Sequence, residues 1–118
     1  MTVNILGTEY KIIIKNYDED EAFKRRSIDG YCDSYTKTIV VCDLHTCELW
    51  EHEKEETIAV AHKQIMRHEI THAFFSESGL ADSSATFEGG WATNEEMVDW
   101  IALQSPKLLK AFEEAGCL

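Results

Sequence analysis

Between residues 54 and 78 the chain has neither proline nor glycine, and its apolar side chains recur with a helical period. On a 3.6-residue wheel Ile58, Ile65, Met66, Ile70, Ala73 and Phe74 cover a wide arc, while Gln64, Arg67 and Thr71 form a narrow polar stripe opposite. Gly79 follows where a helix end favours a left-handed residue. The pattern predicts a central helix, buried on several sides and roughly 36 Å long over its 24 or so residues. The stretch before it reads as sheet. Residues 3–6 and 9–15 flank Gly7-Thr8, a glycine-first pair suited to a tight hairpin. Residues 18–26 are charged and predict a short helix or loop. Residues 30–33 and 37–42 are two further strands around Ser34-Tyr35-Thr36, with Thr38-Ile39-Val40-Val41-Cys42 the strongest strand signal. After Gly79 the small and polar residues 80–85 and Gly89-Gly90 predict a loop over the exposed face of the central helix. A second helix begins at Thr93, and Ser105-Pro106 is placed to open a last one through Leu108, Leu109 and Phe112 to Gly116.

These elements predict an α+β fold. A small twisted, mainly antiparallel sheet lies on one side of the central helix and C-terminal helices on the other. With 118 residues and 44% hydrophobic content, residues 1–118 make a single domain. The net charge of −11 and the lack of a basic cluster argue against nucleic acid and anionic membranes, and leave a basic partner or peptide electrostatically compatible. Short apolar runs and a start without a charged, greasy leader predict a cytoplasmic protein. Cys32, Cys42, Cys47 and Cys117 lack paired metal-binding spacing and are expected as free thiols, the first two packing in strands.

The chemistry concentrates on the central helix. His68-Glu69-Ile70-Thr71-His72 is an H-E-x-x-H. On a helix its two histidines lie about 40° apart and roughly 6 Å along the axis, so both imidazoles reach one ion. Glu69 is offset by about 100° and is placed to act on water beside that ion. The expected cofactor is Zn2+, with a third protein ligand still to be supplied. His45, His52 and His62 have no partner at ligand spacing and are expected in surface or packing roles.

His68-Glu69-x-x-His72 followed by Asn94-Glu95-x-x-x-Asp99 resembles the gluzincin pattern of zinc metallopeptidases. The small size, with sheet first and the second motif close behind, is similar to the ImmA/IrrE-type metallopeptidases and to compact zincin-like proteins of phages. The resemblance covers about residues 38 to 102. It implies a zincin-like fold, Glu95 as the third zinc ligand, Asp99 as the partner that orients His68, and Glu69 as general base in peptide hydrolysis of narrow specificity. An alternative is a zincin-fold regulatory or interaction protein that binds zinc with little turnover. Thermolysin-like members take an oxyanion-stabilising His or Tyr from a downstream domain, whereas here neither residue occurs after His72. Tyr31 and Tyr35 are the upstream candidates, with backbone N–H groups as the fallback, and the strand at residues 37–42 is the expected edge for pairing an extended peptide. Local capping favours Glu95 as well. Thr93 and Glu96 have capping-box spacing, which would occupy Glu96 at its own helix end and leave Glu95 to face the motif helix.

Overall fold

A computed structural model describes residues 1–84, 88, 90–115 and 117–118. Strands β1 (Thr2–Ile5) and β2 (Thr8–Asn16) lead through a short helix α1 (Glu21–Arg26) to β3 (Gly30–Asp33) and β4 (Thr38–Asp43). Helices α2 (Glu55–Glu77), α3 (Leu80–Ser84) and α4 (Glu95–Glu114) follow. The sheet order is β1-β2-β4-β3. Its outer pairings are antiparallel and its central one, β2 with β4, is parallel, so the sheet is mixed. The excursion through α1 and β3 returns the chain to the end of the sheet where β2 began, which a parallel neighbour requires.

Two expectations about the strands are corrected. The segment at residues 37–42 is not an edge: β4 lies between β2 and β3, and Ile39, Val40, Val41 and Cys42 are all buried. A continuous apolar run is the mark of a strand covered on both faces, and the free edge beside α2 is β3. The first hairpin turns on Leu6-Gly7 and not Gly7-Thr8, since Thr8 already pairs with Ile5. Leu6 at φ 50° and Gly7 at φ 91° give the two positive angles that a twisted two-residue hairpin needs. The Asn4 Oδ1 accepts from the Gly7 N–H at 2.9 Å and helps hold Leu6 in that costly conformation.

Helix α2 lies between the sheet and α4. Ile65, Met66, Ile70 and Ala73 pack on Ile5, Tyr10, Ile12, Ile39 and Val41. Ile58, Ala61 and Ile65 pack with Phe23, Val40, Cys42, Leu44 and Cys47. Phe74, expected on the apolar arc, is 40% exposed. Polar clamps hold both ends of the helix. Near its C-terminus, Glu77 accepts from Tyr10 Oη at 2.7 Å, Thr8 Oγ1 at 3.0 Å and Lys37 Nζ at 2.5 Å. Near its N-terminus, His62 Nε2 accepts from the Leu44 N–H at 2.9 Å, and His45 bridges Asp43 and Glu55, each at 2.9 Å.

The C-terminal region differs from the sequence reading in three ways. Residues 80–84 form α3, and the buried Ser84 Oγ accepts from the Ala92 N–H at 3.2 Å; Ala85, Gly89 and Gly116 lie outside the described residues. The N-cap of α4 is Asn94, whose Oδ1 accepts from the Met97 N–H at 3.2 Å, while Thr93 closes a 3-10 turn and donates to the Gly90 carbonyl at 3.0 Å. Asn caps as well as Thr does, so the start moves one residue on and the Thr93–Glu96 box does not form. Finally, Ser105-Pro106 opens no new helix, because α4 runs through it.

Pro106 lacks the N–H that would reach back to the Ala102 carbonyl. Arg67 on α2 supplies the missing donor, with its Nε 2.5 Å from the Ala102 oxygen. Arg67, from the polar stripe of α2, is thus turned to a helix. Arg67→Met is expected to cost about 1–3 kcal/mol in chemical unfolding by orphaning that carbonyl. In a Pro106→Ala background the new N–H takes the carbonyl, so the same substitution should cost less. Equal costs in the two backgrounds would count against this account.

Candidate metal centre

The rotation of α2 sends His68, Glu69 and His72 toward the gap between β3 and α4. At the start of α4, Glu95 is the first helical residue, and Asp99 is one turn further along the same side. The result is a triangle. His68 Nε2 and His72 Nε2 are 3.1 Å apart, and Glu95 places one oxygen 3.0 Å from the first and the other 3.2 Å from the second. Ligands about 2.0–2.1 Å from a tetrahedral zinc are separated by roughly 3.3 Å, so these atoms fit the edges of such a site.

The hydrogen-bonding partners agree with that fit. His68 Nδ1 is 2.7 Å from Asp99 Oδ1 and, as the N–H tautomer, donates to it, which leaves the Nε2 lone pair directed at the triangle. Burial lowers the His72 pKa, with the neighbouring His68 acting in the same direction against Glu95 and Asp99. A neutral imidazole is the form that binds metal.

Glu69 stands apart from the triangle. Its Oε1 is 3.9 Å from His68 Nε2, and its side chain is 7% exposed. Burial pushes its pKa up to about 7, partly offset by the charge of His68. Glu95 and Asp99 raise it further, while Arg26 acts in the opposite sense. A carboxyl poised near neutrality can both accept and return a proton. Gly30 explains how it is so closely covered. A Cβ at this position would meet Val40 O at 2.9 Å, Ile65 Cγ2 at 3.0 Å and Glu69 Cγ at 3.3 Å. Only glycine lets β3 lie this near the motif helix.

The site opens into a cavity of about 770 Å³. One wall is α2, with His68, Glu69, His72 and Gln64; Glu95 and Asp99 stand opposite. The third wall is the α1–β3 segment from Arg26 to Cys32. No described residue from α3 or Gly90 lines the cavity, so the expected covering loop is not found among the described residues. Tyr31 lies in the third wall, but its hydroxyl donates to Asp20 Oδ2 at 2.5 Å. That bond and the additional donors Ala22 N–H and Lys15 Nζ hold Asp20 near pKa 2. Tyr35 is 96% exposed and lies outside the cavity. Neither tyrosine presents a free hydroxyl to the site.

The fold also assembles a cluster that spacing did not reveal: Asp43, His45 and His62. Its candidate ligand atoms lie within 4.8 Å of one another, but they already hold other partners. His45 spends its two ring nitrogens on different carboxylates, and His62 Nε2 already holds the Leu44 N–H. The Glu55 and Asp43 carboxylates raise the His45 pKa, which suits a cationic clamp. His52 is exposed, and all four cysteines are free, with Cys42 and Cys47 buried.

The elevated Glu69 pKa has a consequence for metal-free protein. A carboxyl whose folded pKa is raised from 4.5 to about 7 favours the folded state while protonated. Its contribution is intact below pH 4.5 and is lost as the pH rises through 7. In chelator, Glu69→Gln should therefore melt above the wild type at about pH 8, with the margin vanishing toward pH 4.5. A margin unchanged across that range in thermal melts would contradict the buried-carboxyl account.

Compared with family models, curated proteins and solved structures, the chain matches none, so its chemistry has to be taken from these side chains themselves.

Proposed function

We propose that the chain is a zinc-dependent metallopeptidase of narrow specificity. The observation that carries this reading is the triangle of His68 Nε2, His72 Nε2 and Glu95, with edges of 3.0–3.2 Å. His68, His72 and Glu95 would hold the ion, and Asp99 would fix the His68 ring. Zinc bound there supplies a Lewis acid for a carbonyl and makes water acidic enough to lose a proton near neutral pH.

The remaining steps belong to the protein. Glu69 takes the proton of the attacking water and later delivers one to the leaving amine, a double duty that its pKa of about 7 supports. The substrate would lie along β3. The Cys42 N–H donates to the Asp29 carbonyl at 2.8 Å, and the register pairs Gly30 with Val41 and Cys32 with Ile39. In an antiparallel ladder that alternation turns the N–H and C=O groups of Gly30 and Cys32 away from β4, toward the cavity. An extended peptide can pair there with its backbone held beside Glu69. The resemblance of His68-Glu69-x-x-His72 and Asn94-Glu95-x-x-x-Asp99 to the gluzincin pattern supports this reading.

A second reading, a zinc-binding regulatory or interaction protein with little turnover, is favoured by one observation. The Tyr31 hydroxyl is committed to Asp20, and no other tyrosine faces the cavity. Absence of one oxyanion donor typically lowers turnover by about 100- to 1,000-fold.

Elemental analysis of untagged protein is expected to give one zinc per chain. Glu95→Ala should lose it, whereas Glu96→Ala should keep it. Asp99→Ala should weaken zinc affinity about 10- to 100-fold. Metal lost from Glu96→Ala and retained by Glu95→Ala would reverse the ligand assignment. Glu69→Gln should retain zinc and lose all hydrolysis of a peptide library. Zinc with no hydrolysis in the wild type would select the second reading, and substoichiometric metal would defeat both.

A further inference from the structure

The cavity wall contains a carboxylate that no described residue engages. Asp29 immediately precedes β3, is half-buried and lines the cavity. Its backbone carbonyl is in the ladder, but its side chain makes no hydrogen bond or ion pair with any described residue. Other half-buried acids are engaged. Asp20 accepts from Tyr31, Lys15 and the Ala22 N–H, Asp33 closes the β3–β4 turn, Asp43 holds His45, and Glu77 has three donors. Arg26 lines the same cavity but forms no salt bridge with Asp29. A partly desolvated carboxylate without a counter-charge is unfavourable until a cation arrives from outside.

The strand geometry indicates which cation. Gly30 directs its Cα substituent toward Ile65 and Glu69 on α2. Side chains alternate along a strand, so Tyr31 stands on the opposite face beside Phe23, and Asp29, at the bend that leads into Gly30, lines the same cavity. A peptide added to the free edge of β3 alternates in the same way. The residue that falls opposite Asp29 has its Cβ about 4.5–5.5 Å away on the same face, within easy reach of a long side chain. It lies next to the residue held opposite Gly30, close to the bond that Glu69 would attack.

We propose that Asp29 forms a specificity subsite for a basic side chain, lysine or arginine, of an extended peptide bound along β3. The proposal rests on the peptidase reading for its substrate class but requires only binding, not turnover. The burial that raises the Asp29 pKa also strengthens any ion pair made there. The net charge of −11 draws basic peptides toward the protein from a distance.

The test uses full-length, zinc-loaded Glu69→Gln protein and capped nonapeptides, each carrying arginine or neutral, isosteric citrulline at one position. Calorimetric titration should show a preference for arginine of about ten-fold at one position of the peptide. Asp29→Asn, which keeps the shape, should erase that preference while leaving citrulline peptides unchanged, and it should not lower the melting temperature because it removes an uncompensated charge. Asp29→Glu should retain it. A preference that survives in Asp29→Asn, equal affinity for the two peptides, or no peptide binding would overturn the proposal. Wild-type hydrolysis of the same peptides separates the two readings. Arginine-selective binding without cleavage would leave Asp29 assigned and defeat the peptidase, whereas cleavage without selectivity would do the reverse.

Discussion

Helix α2 has to be fixed in rotation as well as in position, because a turn of a few tens of degrees would scatter the His68–His72–Glu95 triangle. Apolar packing is non-directional and constrains that rotation less sharply than a hydrogen bond does. The polar clamps do not. Glu77 is tied to Tyr10, Thr8 and Lys37 near one end, and His62 and Glu55 are tied to the β4 exit near the other. Each bond has a directional geometry and connects α2 to a different part of the sheet. Arg67 adds a third tie to α4 through the carbonyl that Pro106 leaves free. The proline is then part of how the two helices carrying the site are joined.

The electrostatics of the cavity follow from that placement. His68 and His72 face Glu95, with Asp99 and Glu69 close behind, and burial lowers the His72 pKa. An arrangement with three carboxyl groups around two imidazoles concentrates negative charge in a protein already at −11. A divalent cation at the triangle would remove the imbalance, and under the zinc proposal it would also lower the pKa of Glu69. The same reasoning applies on a smaller scale at Asp29, which has no internal counter-charge and faces the path of the proposed peptide.

The close approach of β3 to α2 links fold to chemistry. Gly30 lets the strand lie against Glu69, and the price is a site that tolerates no side chain at that position. The same strand provides a free edge because β4, with the stronger strand signal, is consumed inside the sheet. Tyr31 shows the opposite outcome. It is in the cavity wall, yet Asp20 claims its hydroxyl, so proximity alone does not make it an oxyanion donor.

Periodicity and local spacing determined the helix at residues 55–77, the positions of the strands, and the two separate motifs, His68-Glu69-x-x-His72 on one helix and Glu95-x-x-x-Asp99 on another. These features depend on contacts within a few residues or on one repeating period, and such information is carried by the sequence itself. Even so, local signals misled where two of them competed. Asn94 took the cap from Thr93, and Ser105-Pro106 looked like a helix start because the Arg67 side chain that rescues the Ala102 carbonyl lies 35 residues away. Strand order, the parallel β2–β4 pairing and the identity of the free edge were decided by which apolar faces could be covered at once. The Glu77 and His62 clamps, the Asp43–His45–His62 cluster and the isolation of Asp29 were likewise tertiary decisions. Each depends on distances between elements far apart in the chain, and no spacing along the sequence encodes those distances.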